Sequence, residues 1–294
     1  MFPTAFAQFV APARARPQLW RLMLGLPVAL GVYLGFVVLL FAALWLGLGT
    51  EDTARWIDRI ITASTPTATL LLLLTFLGMG LGALAAARLM HARAPATLFG
   101  PTPRVLRDFV VAGAIAAVIL GGGAALWFVR FDAAPGLDVA LWLSFLPLAL
   151  VGVLIQTGAE ELLFRGYLQQ QLAARFASPL AWLVLPSAVF GLVHFDPAGA
   201  GGNAWLIVGA AAIFGLAAAD LTRATGSIGA AWGFHFVNNA IALLILATQG
   251  TLPGLALYLT PYDIDDTQLI RGLVLSDVLA MVLTWGAIRL ALRR

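Results

Sequence analysis

The chain has 294 residues, 61% of them hydrophobic and 11% charged, whereas ordinary soluble domains are about 45–50% apolar and about 25% charged. That balance excludes a soluble globular domain and predicts an all-α, polytopic bundle embedded in a lipid bilayer. All 17 basic residues are Arg; against 14 acids they give a net charge of +3. Scattered between apolar segments, they orient helices rather than form a nucleic-acid patch, and the absence of Cys removes disulfides, thiol nucleophiles and Cys-based metal sites.

Residues 1–19 read as a cytoplasmic N-terminal segment. Its basic residues follow its apolar ones, and the next apolar run is long enough to span, so it is expected to be a flank and not a cleaved leader. Residues 20–294 read as a single transmembrane domain with eight apolar segments, at about 20–48, 68–88, 109–129, 139–157, 180–194, 204–219, 228–248 and 269–288. The fifth and sixth are short, which suits helices buried among others. Gly and Pro punctuate the connections "RAPATLFGPTPR" and "FDPAGAGGN".

With the N-terminus inside, twelve arginines flank the inner ends: Arg14, Arg16, Arg21, Arg88, Arg93, Arg104, Arg107, Arg175, Arg223, Arg289, Arg293 and Arg294. Only Arg55, Arg59, Arg130 and Arg271 flank the outer ends, so both termini are expected in the cytoplasm. After the fourth span, "GAEELLFRGYLQQQLAARF" has an amphipathic pattern. It is expected to bend toward the cytoplasmic interface, with Gly158 and Gly166 permitting breaks and Gln169, Gln170 and Gln171 facing water.

Three polar groups interrupt this background: Glu160, Glu161 and Arg165; Phe190 and His194; His235 and Asn239. An ionisable residue inside a membrane helix is costly and faces the bundle interior or a wet cavity. Glu161 and Arg165 share a helix face four positions apart, in the favourable order of acid before base, and a guanidinium can grip a carboxylate by two hydrogen bonds. Glu160 lies about 100° away on the helix and is left to face a cavity. His235 and Asn239 share another face, and the third histidine, His91, falls in an Arg-rich loop.

Such a set suits hydrolysis by activated water, with a glutamate as general base, His194 holding the water, and His235 with Asn239 donating to a developing oxyanion. Two His and one Glu are also a hydrolytic zinc set, here Glu160, His194 and His235. The His-Glu-x-x-His motif is absent, so metal-free water activation is preferred. Ser187 and Ser227 have no spacing that favours a serine triad. Asp277, in the last span, receives no role.

At these residues the sequence resembles the CPBP family, the CAAX proteases and bacteriocin-processing proteins also called the ABI family, which includes the Ras-converting CAAX endopeptidase. Glu160, Glu161 and Arg165 match its Glu-Glu-x-x-x-Arg motif, Phe190 and His194 match Phe-x-x-x-His, and His235 and Asn239 match His-x-x-x-Asn. The resemblance covers about residues 140–248 and implies an intramembrane glutamic endopeptidase acting on membrane-associated proteins or peptides. By matching position, Glu160 and His194 would activate water, while His235 and Asn239 would stabilise the oxyanion. Glu161, Arg165 and Phe190 would be structural support. The alternatives are a zinc-dependent protease using the same residues and a non-catalytic immunity or scaffold protein. A proton-linked transporter gives no reason for Asn239 one turn after His235. The cavity is expected to open toward the cytoplasmic half of a bacterial cytoplasmic membrane, and the prenyl specificity of the CAAX enzymes is not carried over.

Overall fold

The computed structural model describes residues 2–293; Arg294, counted above among the inner basic residues, lies outside them. The chain is an all-α bundle: α1 (Thr4–Val10), α2 (Leu19–Leu48), α3 (Thr50–Ile61), α4 (Pro66–His91), α5 (Thr102–Arg130), α6 (Val139–Arg175), α7 (Leu180–Leu192), α8 (Ala204–Thr225), α9 (Gly229–Ile245) and α10 (Thr267–Ala291). In a bilayer every backbone polar group must pair within the protein, and a helix does so by itself. Side-chain caps start several spans. The Asp138 carboxylate accepts from the Ala140 and Leu141 amides at the head of α6, and Asp266 does the same for α10.

Among the described residues, six helices are long and apolar enough to cross a membrane, and α7 and α9 are shorter apolar helices. At 1.5 Å per residue, the 13 residues of α7 cover about 20 Å, well short of a bilayer core of about 30 Å. The expectation of a short sixth segment is corrected, because α8 runs on through Thr225; the short partner of α7 is α9.

Two further differences concern the middle of the chain. No break occurs at Gly158 or Gly166: α6 continues to Arg175, widening to π geometry over Leu162–Gln169. Gly166 serves packing instead, since a Cβ there would fall 2.7 Å from the Leu98 carbonyl oxygen. Gln169, Gln170 and Gln171 are buried rather than facing water. Gln169 donates to the Ala219 carbonyl at 3.0 Å, and Gln170 and Gln171 accept from Arg93.

That Arg93 cluster closes one end of the bundle. Arg93 also reaches Thr97 Oγ1 at 3.3 Å, and burial pushes it down to about 10, so it remains cationic at neutral pH. His91, expected in a loop, is instead the buried last residue of α4, with ring nitrogens 3.0 Å from the Tyr167 hydroxyl and 2.9 Å from the Arg16 carbonyl. The N-terminal segment packs into this same end. Phe6, Phe9 and Val10 are buried, and the Phe2 and Phe6 rings lie 5.3 and 5.2 Å from Trp182.

The opposite end carries a three-stranded sheet that the sequence pattern did not suggest: β1 (Ala134–Pro135), β2 (Leu246–Gln249) and β3 (Tyr258–Asp263), in the order β1-β3-β2. β1 is antiparallel to β3, with Ala134 opposite Leu259, and β2 is parallel to β3, with Leu246 opposite Tyr258. Between the two ends, α9 lies tightly on α5. A Cβ at Gly229 or Gly233 would meet the Val105 or Phe109 carbonyl oxygen at 2.3 or 2.2 Å, so this glycine pair, four residues apart, sets the approach of the helix that bears His235.

Candidate active site

Three helices bring the three motifs together. On α6, Glu161 and Arg165 are 0% and 2% exposed, and Arg165 Nη1 donates to Glu161 Oε1 at 3.0 Å. The expected two-bond fork does not form, because the second arm, Nη2, donates to the Gly215 carbonyl of α8 at 3.3 Å. The guanidinium carbon also sits 4.8 Å from the centre of the Phe190 ring, a cation–π contact that a desolvated Arg can use. Phe190 is thus more than a spacer: its ring lies 4.9 Å from that of His194 and 5.9 Å from that of His235.

His235 stands between the two glutamates. Its Nδ1 is 2.8 Å from Glu161 Oε1 and its Nε2 is 3.5 Å from Glu160 Oε2. A carboxylate accepts only, so Nδ1 carries the proton on the Glu161 side. Glu161 therefore serves both Arg165 and His235, a sharing that sequence spacing did not reveal. The Phe214 ring of α8 supports the imidazole at 4.7 Å.

Glu160 is 8% exposed. Its Oε1 accepts from Gln156 Nε2 at 2.7 Å, and its Oε2 has no hydrogen-bond partner among the described residues; the 3.5 Å approach of His235 is too long to count as one. Gln156 Oε1 in turn accepts from Asn239 Nδ2 at 2.9 Å, and Asn239 Oδ1 accepts from Asn238 at 3.1 Å. Gln156 thus bridges Glu160 to Asn239. Sequence reasoning missed it, although a glutamine one turn before Glu160 in an apolar helix was a visible signal.

His194 stands apart from the carboxylates. Its Nδ1 donates to the Phe190 carbonyl at 2.7 Å, which leaves Nε2 as the ring's free acceptor. It is exposed to a cavity of about 720 Å³ that Phe190, His235 and Asn239 also line. The cavity does not run to the N-terminal end, which Phe6, Phe9 and Trp182 fill. It extends to Trp127, Thr260 and Tyr262 at the sheet end, which corrects the expected opening toward the half that holds the N-terminus.

Among the described residues no three His, Asp or Glu side chains are grouped to hold a metal. His235 has Nδ1 on Glu161 and Nε2 toward Glu160, and His194 has Nδ1 on the Phe190 carbonyl.

Residues 142–241 match the family model described as Rce1-like, type II CAAX prenyl endopeptidase. The chain is similar to the CPBP peptidases. The matched stretch contains Gln156 and all three CPBP-like motifs. A curated relative, the uncharacterized protein YyaK of Bacillus subtilis (strain 168), is 26% identical over 254 residues, covering 84% of each chain. No solved structure matches. The likeness is to a membrane-embedded peptidase family, and the six long apolar helices agree with an integral membrane protein.

Proposed function

We propose that the chain is an intramembrane endopeptidase of CPBP type that hydrolyses membrane-tethered proteins or peptides with a glutamate-activated water and no metal. The observation that carries this reading is the free Oε2 of Glu160, held by Gln156 on one side and facing His235 on the other. In this mechanism Glu160 takes a proton from the attacking water. Nε2 of His194 accepts that water's other hydrogen and fixes its direction.

The negative charge that grows on the substrate carbonyl is met by His235 and Asn239. Because Glu161 holds the Nδ1 proton of His235, a proton on Nε2 makes the ring an imidazolium between two carboxylates, and that form can donate to the oxyanion. Asn239 spends one Nδ2 hydrogen on Gln156 and has the second for the same oxygen. Collapse of the tetrahedral intermediate breaks the C–N bond, and Glu160 returns its proton to the leaving amine. Arg165 and Phe190 hold Glu161 and His235 in place. In this reading the membrane is the bacterial cytoplasmic membrane, and both termini lie inside.

The test is cleavage of a membrane-tethered peptide library by the purified chain in lipid vesicles, comparing wild type with Glu160→Gln and His235→Ala, with and without a zinc chelator. Loss of the base should lower the rate by about 10²–10⁴-fold, with wild-type cleavage surviving chelation. Activity that vanishes on chelation and returns with zinc would overturn the metal-free mechanism. Full activity in Glu160→Gln would overturn the assignment of the base.

A further inference from the structure

Asp277 lies on α10, a helix long and apolar enough to span, and lines the same cavity as His194, His235 and Asn239. It makes no hydrogen bond or ion pair among the described residues, and no His, Arg or amide is spent on it. Its side chain is exposed, so the carboxylate is open to whatever enters the cavity, and an acid within a helix of spanning length marks a functional position. Its neighbours in the cavity are aromatic. Trp127 and Phe131 stack with ring centres 5.2 Å apart, and Tyr262 stands edge-on to Phe131 at 5.9 Å, with its hydroxyl accepting from Trp127 Nε1 at 2.8 Å. The charge of Asp277 reaches this group: burial first, and then Asp277, push the Tyr262 phenol above its ordinary range, against the bond from Trp127.

The remaining charges facing the cavity do not satisfy Asp277. Arg130 lines the same outer part but forms no ion pair with it within 4 Å, and its side chain is exposed. His235 is already bound to Glu161, and His194 to the Phe190 carbonyl. A carboxylate without an ion pair that lines one cavity with Trp, Phe and Tyr rings is the chemistry that receives a cation, by charge from the acid and by ring quadrupoles from the aromatics.

We propose that Asp277, with the Trp127, Phe131 and Tyr262 wall, is the specificity subsite of the cavity and binds a Lys or Arg side chain of the substrate on the sheet side of the scissile bond. The proposal rests on the peptidase reading and deepens it. The substrate class is a membrane-tethered peptide with an apolar body and a cationic residue at a fixed distance from the cleaved bond.

The experiment walks a single Lys, or an uncharged Met in its place, along an otherwise constant tethered peptide presented to the full chain in vesicles. Wild type should prefer Lys over Met at one position by at least about tenfold. That ratio should fall to about one in Asp277→Asn, survive in Asp277→Glu, and pass to a Glu-bearing peptide in Asp277→Arg. An undiminished Lys preference in Asp277→Asn, or none in wild type, overturns the subsite while leaving the peptidase reading intact. A parallel arm measures binding of the fluorescent Lys and Met peptides to Glu160→Gln chains with and without Asp277→Asn. Should wild type cleave no peptide, the peptidase reading fails and this arm decides alone: tighter Lys binding that is lost with Asp277→Asn supports the subsite, and equal binding overturns it.

Discussion

At the residue scale, the buried ion pair and the glutamine bridge make different demands. Glu161 and Arg165 are both desolvated, and removing one partner leaves an uncompensated charge, a change that costs about 3–5 kcal/mol in buried pairs. Arg165→Met is therefore expected to lower the melting temperature in detergent sharply. Arg165→Met with Glu161→Gln should recover much of the loss, because no buried charge is then orphaned. Gln156 carries no charge, so its role should appear in rate rather than in folding. Gln156→Leu removes hydrogen bonds to both Glu160 and Asn239; a bond to a charged group contributes about 1.5–3 kcal/mol. The expected result is a fall in kcat of roughly ten- to a hundredfold, with KM changed little and helical content unchanged by circular dichroism. An unaltered kcat would remove Gln156 from the site.

At the element scale, the position of His235 depends on how closely α9 approaches α5. Gly233→Val forces its side chain against the Phe109 carbonyl, which α5 cannot move without shifting its own turn. Overpacking of this kind costs about 1–3 kcal/mol, and here it also moves His235, two residues on, away from Glu161. Gly233→Val should thus lose stability and cleavage together, whereas Gly121→Val, where nothing lies within 4 Å of the Cβ position, should keep its stability.

The same elements show what the sequence made legible. Long apolar runs located the spans, and four-residue spacing placed Glu161 with Arg165 and His235 with Asn239. These are local periodicities. The sharing of Glu161 by Arg165 and His235, the Gln156 bridge to Asn239 across 83 positions, and the burial of His91 against Tyr167 arise from packing between distant segments. The glutamines of α6 looked solvent-facing because their partners, Arg93 and the Ala219 carbonyl, lie on other elements. The sheet was hidden for a related reason: β1 has two residues, and β2 follows directly on α9 inside one apolar run.

At the scale of the whole molecule, the bundle is closed at one end and hollow at the other. Residues 2–16 fill the first end with aromatic rings, and the cavity reaches from His194 and His235 to the strands at the second. On the proposed orientation, with the N-terminus inside, water and peptide would reach His194 and His235 from the outer half of the membrane, or sideways from its lipid. The chain contains no cysteine, so single cysteines can report this without a background to remove. Ser276, exposed on α10 and lining the cavity, and Arg14, exposed at the closed end, are suitable positions. In sealed vesicles of uniform orientation, a membrane-impermeant maleimide added outside should label Ser276→Cys or Arg14→Cys, but never both from the same side. A tethered peptide that occupies the cavity should protect Ser276→Cys and leave Arg14→Cys reactive. Labelling of both positions from one side would mean that the cavity communicates with the N-terminal end after all, and that the α1 segment opens in the membrane.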